Sequence, residues 1–244
     1  MKSISQSLAL LTPLIHEIGN LSGIAGLSLG VVHEGEVTYL QNAGFRDVAQ
    51  KLYTDSDTVY PIGSLSKAFT AAGVGLLVED GKLDWTTPLQ NVLPKFRSSY
   101  IEVQNLTTPL DLLSHRTGLP GLETLWYHSE PLLDDSQIYD TFSSIPQTRP
   151  FRTVMQYNNL GYAIIGDLVK HISGRTVEKL LMSKIFHPLG MLRTKTNFES
   201  TTTNVAISYK AMDDGSNFPY GNDGSGKAPI LKLQEDFRVP STTF

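Results

Sequence analysis

Ser64 and Lys67 stand three residues apart in Ser64-Leu65-Ser66-Lys67, at the head of a run that stays almost wholly apolar to Val78. Residues three apart share one face of a helix, so the Lys67 amine can reach the Ser64 hydroxyl. A serine hydroxyl attacks a carbonyl only once something takes its proton, and a lysine does so only when its ammonium form is disfavoured. Burial against an apolar helix and the positive helix N-terminus both act in that direction. The same letters have a plainer reading, with Ser64 as a helix N-cap and Lys67 as a solvated first-turn side chain, and S-x-x-K is short enough to recur by chance. Against that reading, an apolar helix leaves a lysine no easy route to water.

Tyr157-Asn158-Asn159 precedes a second strong helical pattern. In an extended stretch, side chains two apart point the same way, so Tyr157 and Asn159 can face one cavity. A tyrosine beside a lysine can hold or relay a proton, and an asparagine amide can orient a substrate carbonyl. Here too a structural role competes: Asn159 as a helix cap, with Tyr157 packed over the first turn. A second Y-x-N, Tyr220-Gly221-Asn222, sits in a polar stretch with no helix after it and reads as a loop.

Other chemistries lack support. Gly221 to Lys227 nearly spells a phosphate-binding loop, but Ala228 and Pro229 stand where the motif needs Ser or Thr and a helix. The histidines at 16, 33, 115, 128, 171 and 187 form no H-x-x-x-H or H-x-H pair, so neither a metal nor another cofactor is expected. No G-x-S-x-G elbow is present. The absence of cysteine removes disulfides and thiolate chemistry. Twenty basic residues against 24 acidic ones leave a net charge of −4, without the basic footprint of a nucleic-acid partner.

The elements that must position Ser64 and Tyr157 can be read from the pattern. Ile4, Leu8, Leu11, Ile15 and Ile18 recur at helical spacing, which predicts an amphipathic helix bent or restarted at Pro13. Gly26 to Val32 and Val37 to Gln41 read as strands joined by a turn, with a further short strand near Thr58 to Pro61. The Ser64 to Asp80 run, apolar on every side and stopped by Gly81, predicts a buried helix. Residues 85 to 156 predict turns and short helices. Leu160 to Ile172 and Thr176 to Phe186 predict helices closed by Ser173-Gly174 and His187-Pro188. After Thr196 only Ile230 to Leu233 suggests regular structure. No export signal and no run of ~20 apolar residues is found, so a cytoplasmic protein with no membrane partner is expected.

Taken together, these segments resemble the serine β-lactamase and penicillin-binding protein superfamily, in its class C and D,D-peptidase-like branch. The likeness extends through "GLSLGVVHEGEVTYLQNAGF", "TVYPIGSLSKAFTAAGVGLLVEDGKLDWTTPLQNVLPKF", "LDLLSHRTGLPG", "YNNLGYAIIGDLVKHISG" and "IFHPLGMLRTKT", over residues 20 to 200. It implies an α+β fold, with an antiparallel sheet flanked by helices and a mostly helical subdomain at 85–156, the active site lying between them. It also implies Ser64 as nucleophile, Lys67 as its proton acceptor, Tyr157 as the second proton-transfer group and Asn159 as a substrate ligand. Which of Lys67 and Tyr157 is the base stays open, since their protons are coupled.

One departure stands out. The resemblance calls for a third motif, K-T-G or H-x-G, on a late strand that also supplies an oxyanion donor. Arg116-Thr117-Gly118 has similar letters but lies between the first two motifs, where a turn is expected, and Lys195-Thr196 is followed by Asn197. Loss of one oxyanion donor typically costs about 10²–10³ in rate. At 244 residues against ~150 for an average domain, the length has room for one large domain. The resemblance, whose late helix and closing strands have no counterpart here, implies a single domain that is C-terminally incomplete. The expected activity is that of a serine hydrolase or acyltransferase forming an acyl-enzyme on a small-molecule ester, thioester or amide. "LLSHRTGLP" and "FRTVMQYNN" resemble fungal members that act in secondary metabolism. The alternative is a catalytically impaired homologue with a binding or structural role; oligomeric state is left open.

Overall fold

A computed structural model describes residues 3–122, 135–196, 202–219 and 238–240. His128, Tyr220-Gly221-Asn222, the Gly221 to Lys227 loop, Asn197 and Ile230 to Leu233 lie outside the described residues. The rest fall into two compact units, one built from residues up to Ile62 and from Gly190 onward, the other from Gly63–Leu189.

The first unit opens with α1 (Ile4–Ala9) and α2 (Thr12–Leu21). Ser3 and Gln6 close a capping box on α1, and Pro13 in the first turn of α2 restarts the helix as its missing N–H requires. Strands β1 (Gly26–His33) and β2 (Glu36–Asp47) form an antiparallel hairpin. Its two-residue turn, Glu34-Gly35, has both φ angles positive (53° and 82°), the conformation whose twist matches the paired strands. Thr38 interrupts the register, which passes from Val31↔Tyr39 to Val32↔Val37, and its hydroxyl donates to the Val31 carbonyl. β2 runs six residues beyond the expected strand and continues into β3 (Leu52–Tyr53), giving a three-stranded sheet in the order β1-β2-β3. The short strand β4 (Val59–Pro61) is present but pairs elsewhere, with residues 238–240. Val59 also bridges to Val205, and Asn204 ties this crossing down by donating to Asp55 and accepting from Thr58.

The second unit carries most of the buried apolar side chains. After a 3₁₀ turn over Gly63–Leu65 comes α3 (Ser66–Glu79), then the short helices α4 (Ile101–Leu106), α5 (Pro109–Leu113) and α6 (Ile138–Ser144). The 15-residue α7 (Asn159–Ser173) ends in left-handed Gly174, and α8 (Val177–Leu181) continues as a π-helical turn over Met182–Phe186. Leu160, Ile164, Ile165, Leu168 and Val169 on α7 are fully buried, as are Val74 and Leu77 on α3. Each side chain of this kind contributes about 1.5–3 kcal/mol by leaving water.

Two expectations need correction. The α3 helix is half-buried, not enclosed: Ser66, Thr70, Gly73, Val74 and Leu77 form its buried face, whereas Ala68 and Ala72 are exposed. The outward apolar residues are small, so leaving them in water costs little, and all-round hydropathy overstated the burial. The stretch after Thr196 also contains a hairpin, β5 (Tyr209–Ala211) with β6 (Asn217–Pro219). Its turn is held locally, where Asp214 accepts from both the backbone and the hydroxyl of Ser216. Polar turn residues set this hairpin, and apolar periodicity carried no trace of it. The final described strand, β7 (Arg238–Pro240), is the partner of β4.

Candidate active site

Gly63, with φ of +52°, turns the chain into the 3₁₀ segment that holds Ser64. The N-cap of α3 is Leu65, not Ser64, so the Ser64 side chain is left out of the helix-capping hydrogen bonds. Ser66 secures the turn by donating to the Gly63 carbonyl at 2.6 Å. One turn on, Lys67 Nζ donates to Ser64 Oγ at 3.1 Å, the contact expected of the i, i+3 spacing. Ser64 is exposed and Lys67 half-buried.

Tyr157 reaches the same oxygen from 93 residues away, with 2.7 Å between the two hydroxyls. Lys67 Nζ lies 4.9 Å from the centroid of the Tyr157 ring and 5.1 Å from that of Tyr162, so two π faces attract its charge. Tyr162 itself donates to the Leu113 carbonyl. Burial, and then the proximity of Tyr157, push its phenol up to about 12.

The segment bearing Tyr157 is fixed by long-range bonds. Asn158 caps α7, accepting from Gly161 N–H, while its amide donates to the carbonyls of Leu119 and Pro120 at 3.2 and 3.0 Å. The cap is therefore Asn158, which the sequence reading passed over, and Asn159 is the first helical residue. Asn159 Oδ1 is buried with no hydrogen-bond partner among the described residues. Ser64, Lys67 and Tyr157 thus meet, and Asn159 is not joined to them through that oxygen.

Behind this loop lies a buried carboxylate. Asp111, fully buried on α5, accepts from Arg152 Nε at 2.9 Å and Nη2 at 2.7 Å, from Arg116 at 3.2 Å, and from Thr108 in a capping box. Burial opposes its charge, but Arg152 and Thr108 outweigh it and hold the carboxyl below the usual carboxylate range. Arg152 N–H also donates to the Arg116 carbonyl, and Arg152 occupies a left-handed conformation, φ +64°. Arg116-Thr117-Gly118 forms the expected turn: Gly118 has φ +75°, and its carbonyl accepts from Thr148 and Arg149.

His115 went unremarked as a site residue. It is 7% exposed, accepts the Asn158 N–H on Nδ1 at 3.1 Å, and lies with its ring centroid 4.5 Å from Tyr157 and 5.1 Å from Tyr162. Burial first, then the charge of Lys67, push its pKa down to about 4. Forty-three residues separate His115 from Asn158, so no local spacing links them.

Among solved structures, an octameric penicillin-binding protein homologue from Pyrococcus abyssi superposes with a TM-score of 0.77 at 24% identity, over 97% of this chain and 54% of that one. A penicillin-binding protein from Bacillus halodurans gives 0.72 at 24% identity, over 100% and 70%. The fold is thus β-lactamase/transpeptidase-like, of the α+β class. The family model described as beta-lactamase matches residues 12–230, and the chain belongs to that family. An unguisins hydrolase of Aspergillus violaceofuscus is 30% identical over 74% of this chain and 33% of its own length. A second, from Aspergillus campestris, is 33% identical over 72% and 34%, and penicillin-binding protein 4 of Amycolatopsis lactamdurans is 31% identical over 71% and 45%. The chain spans a third to less than half of these relatives. Among the described residues, no helix is long and apolar enough to cross a membrane.

Proposed function

We propose that this protein is a serine hydrolase that forms an acyl-enzyme on Ser64, with a small-molecule ester, thioester or amide as substrate. The observation that carries this reading is the convergence of Lys67 Nζ and Tyr157 Oη on one exposed serine oxygen, at 3.1 and 2.7 Å. Ser64 Oγ bonds to the substrate carbonyl carbon as its proton passes to the Lys67–Tyr157 pair. The tetrahedral oxyanion then collapses, the bond to the leaving group breaks, and the pair returns the proton to that group. Water attacks the ester so formed, gives its proton to the same pair, and Ser64 recovers it as the acid departs. Acyl transfer differs only in the nucleophile of this second half. In this reading Asn159 binds the substrate through its side-chain amide, the role that the family resemblance implies for it.

The Aspergillus relatives named as unguisins hydrolases favour hydrolysis over transfer. The test is intact-mass measurement after incubation with a fluorophosphonate or a p-nitrophenyl ester. A single adduct on the wild type that is lost in Ser64→Ala is expected. Absence of any adduct on the wild type would overturn the reading in favour of a non-catalytic homologue.

A further inference from the structure

We propose that His115 is a positioning residue that clamps the chain on both sides of Tyr157 and so holds its hydroxyl against Ser64. The inference rests on the hydrolase reading above for its kinetic consequences, but not for its geometry. The His115 carbonyl accepts Gln156 N–H at 2.7 Å, and His115 Nδ1 accepts Asn158 N–H at 3.1 Å. In extended chain, alternate N–H groups point to one side, so a single residue takes both N–H groups flanking Tyr157. The ring packs 4.5 Å from the Tyr157 ring, which fixes the tyrosine's tilt as well as its backbone. His115 itself holds a left-handed conformation, φ +55°, uncommon for a non-glycine residue and found where the surroundings over-determine it.

The clamp requires a neutral imidazole, because Nδ1 can accept only when it carries no proton. Three titratable groups face the ring: Lys67 from α3, Tyr157 from the loop before α7, and Tyr162 from α7. On the chain around His115, Arg116 and Asp111 are turned to one another and to Arg152. The depressed pKa, about 4, keeps the imidazole neutral through the physiological range. Below that value protonation sets Nδ1–H against Asn158 N–H and a second positive charge near Lys67, and the clamp opens.

The test pairs two variants with a resonance measurement on the wild type. His115→Ala lowers kcat/KM for a p-nitrophenyl ester by about 10²-fold near pH 7, the effect of a reacting group displaced by an ångström or so. His115→Asn, which offers an acceptor close to the Nδ1 position and tolerates positive φ, recovers most of that loss. In the wild type, ring ¹⁵N shifts followed downward from pH 7 show Nδ1 taking up its proton as pH drops through about 4. Ring ¹⁵N shifts of the resting wild type at pH 7 show Nδ1 unprotonated and Nε2 carrying the proton. Failure of His115→Asn to recover the activity lost in His115→Ala, or a protonated Nδ1 at pH 7, overturns the clamp. A wild type that shows the acceptor tautomer but neither adduct nor turnover overturns the hydrolase reading and leaves the clamp standing on the ¹⁵N result.

Discussion

Tyr157 Oη lies 2.7 Å from Ser64 Oγ across 93 residues of chain, and Lys67 Nζ lies 3.1 Å from the same oxygen across three. One contact is dictated by helix geometry, the other by everything that holds the loop before α7. The difference sets what substitutions around the site should do.

Tyr157→Phe removes the hydroxyl and keeps the ring that packs on His115 and Lys67. Loss of a positioned proton-transfer group lowers kcat/KM by about 10²–10⁴-fold, with little change in melting temperature. Ester-hydrolysis kinetics and a thermal melt on the same preparation check both halves.

Asp111 anchors two arginines from full burial, while both guanidinium side chains keep contact with water. Asp111→Ala removes the charged hydrogen bonds and the Thr108 capping box and should destabilise the fold by about 2–3 kcal/mol, read as a shift in the urea midpoint. Because the folded carboxyl is held below its unfolded value, its contribution is complete above the usual carboxylate range. That contribution is lost as pH falls through the lower, folded pKa. The wild type should therefore lose more stability than Asp111→Asn between pH 6 and pH 2.

Asn158 can be dissected by two substitutions. Asn158→Asp keeps the oxygen that caps α7 and loses the amide donated to Leu119 and Pro120, whereas Asn158→Ala loses both. The cap alone is worth about 1 kcal/mol, but at 3% exposure the aspartate also sets a carboxylate oxygen against two carbonyls. At neutral pH the aspartate variant should therefore be the less stable of the two in chemical denaturation, the gap narrowing as pH falls.

Gly118 and Gly174 share a left-handed backbone but not their surroundings. A Cβ on Gly118 would fall 2.1 Å from the Arg149 carbonyl oxygen, while one on Gly174 meets nothing within 4 Å. Gly174→Ala should cost only the conformational penalty, about 1–2 kcal/mol. Gly118→Ala should cost substantially more, since it must also push the 148–149 segment out of its hydrogen bonds; paired urea titrations compare the two.

Features of short range were legible in the residues. The restart of the first helix at Pro13, the Glu34-Gly35 hairpin turn, the Gly81 and Gly174 helix ends and the turn at Arg116-Thr117-Gly118 all follow from local backbone preferences. The β5–β6 hairpin escaped because its strands are short and its turn chemistry polar, and the exposure of Ala68 and Ala72 escaped because hydropathy does not report which face a neighbour covers. Choosing between Asn158 and Asn159 as the cap depended on one residue of phase, finer than a periodicity can resolve.

The sequence by itself determined that Ser64 and Lys67 meet, because one helical turn brings i and i+3 together wherever the helix sits. It also determined, through the order and content of its longer segments, the family to which the chain belongs. Only the tertiary structure decided that Tyr157 completes the set, that Asn158 caps α7, and that His115 stands behind both. Those choices rest on the Arg152–Asp111 ion pair and on hydrogen bonds spanning some forty residues. Contacts of that kind exist only after α5 and α7 have packed, since closing so long a loop requires the whole buried interface to offset its entropy.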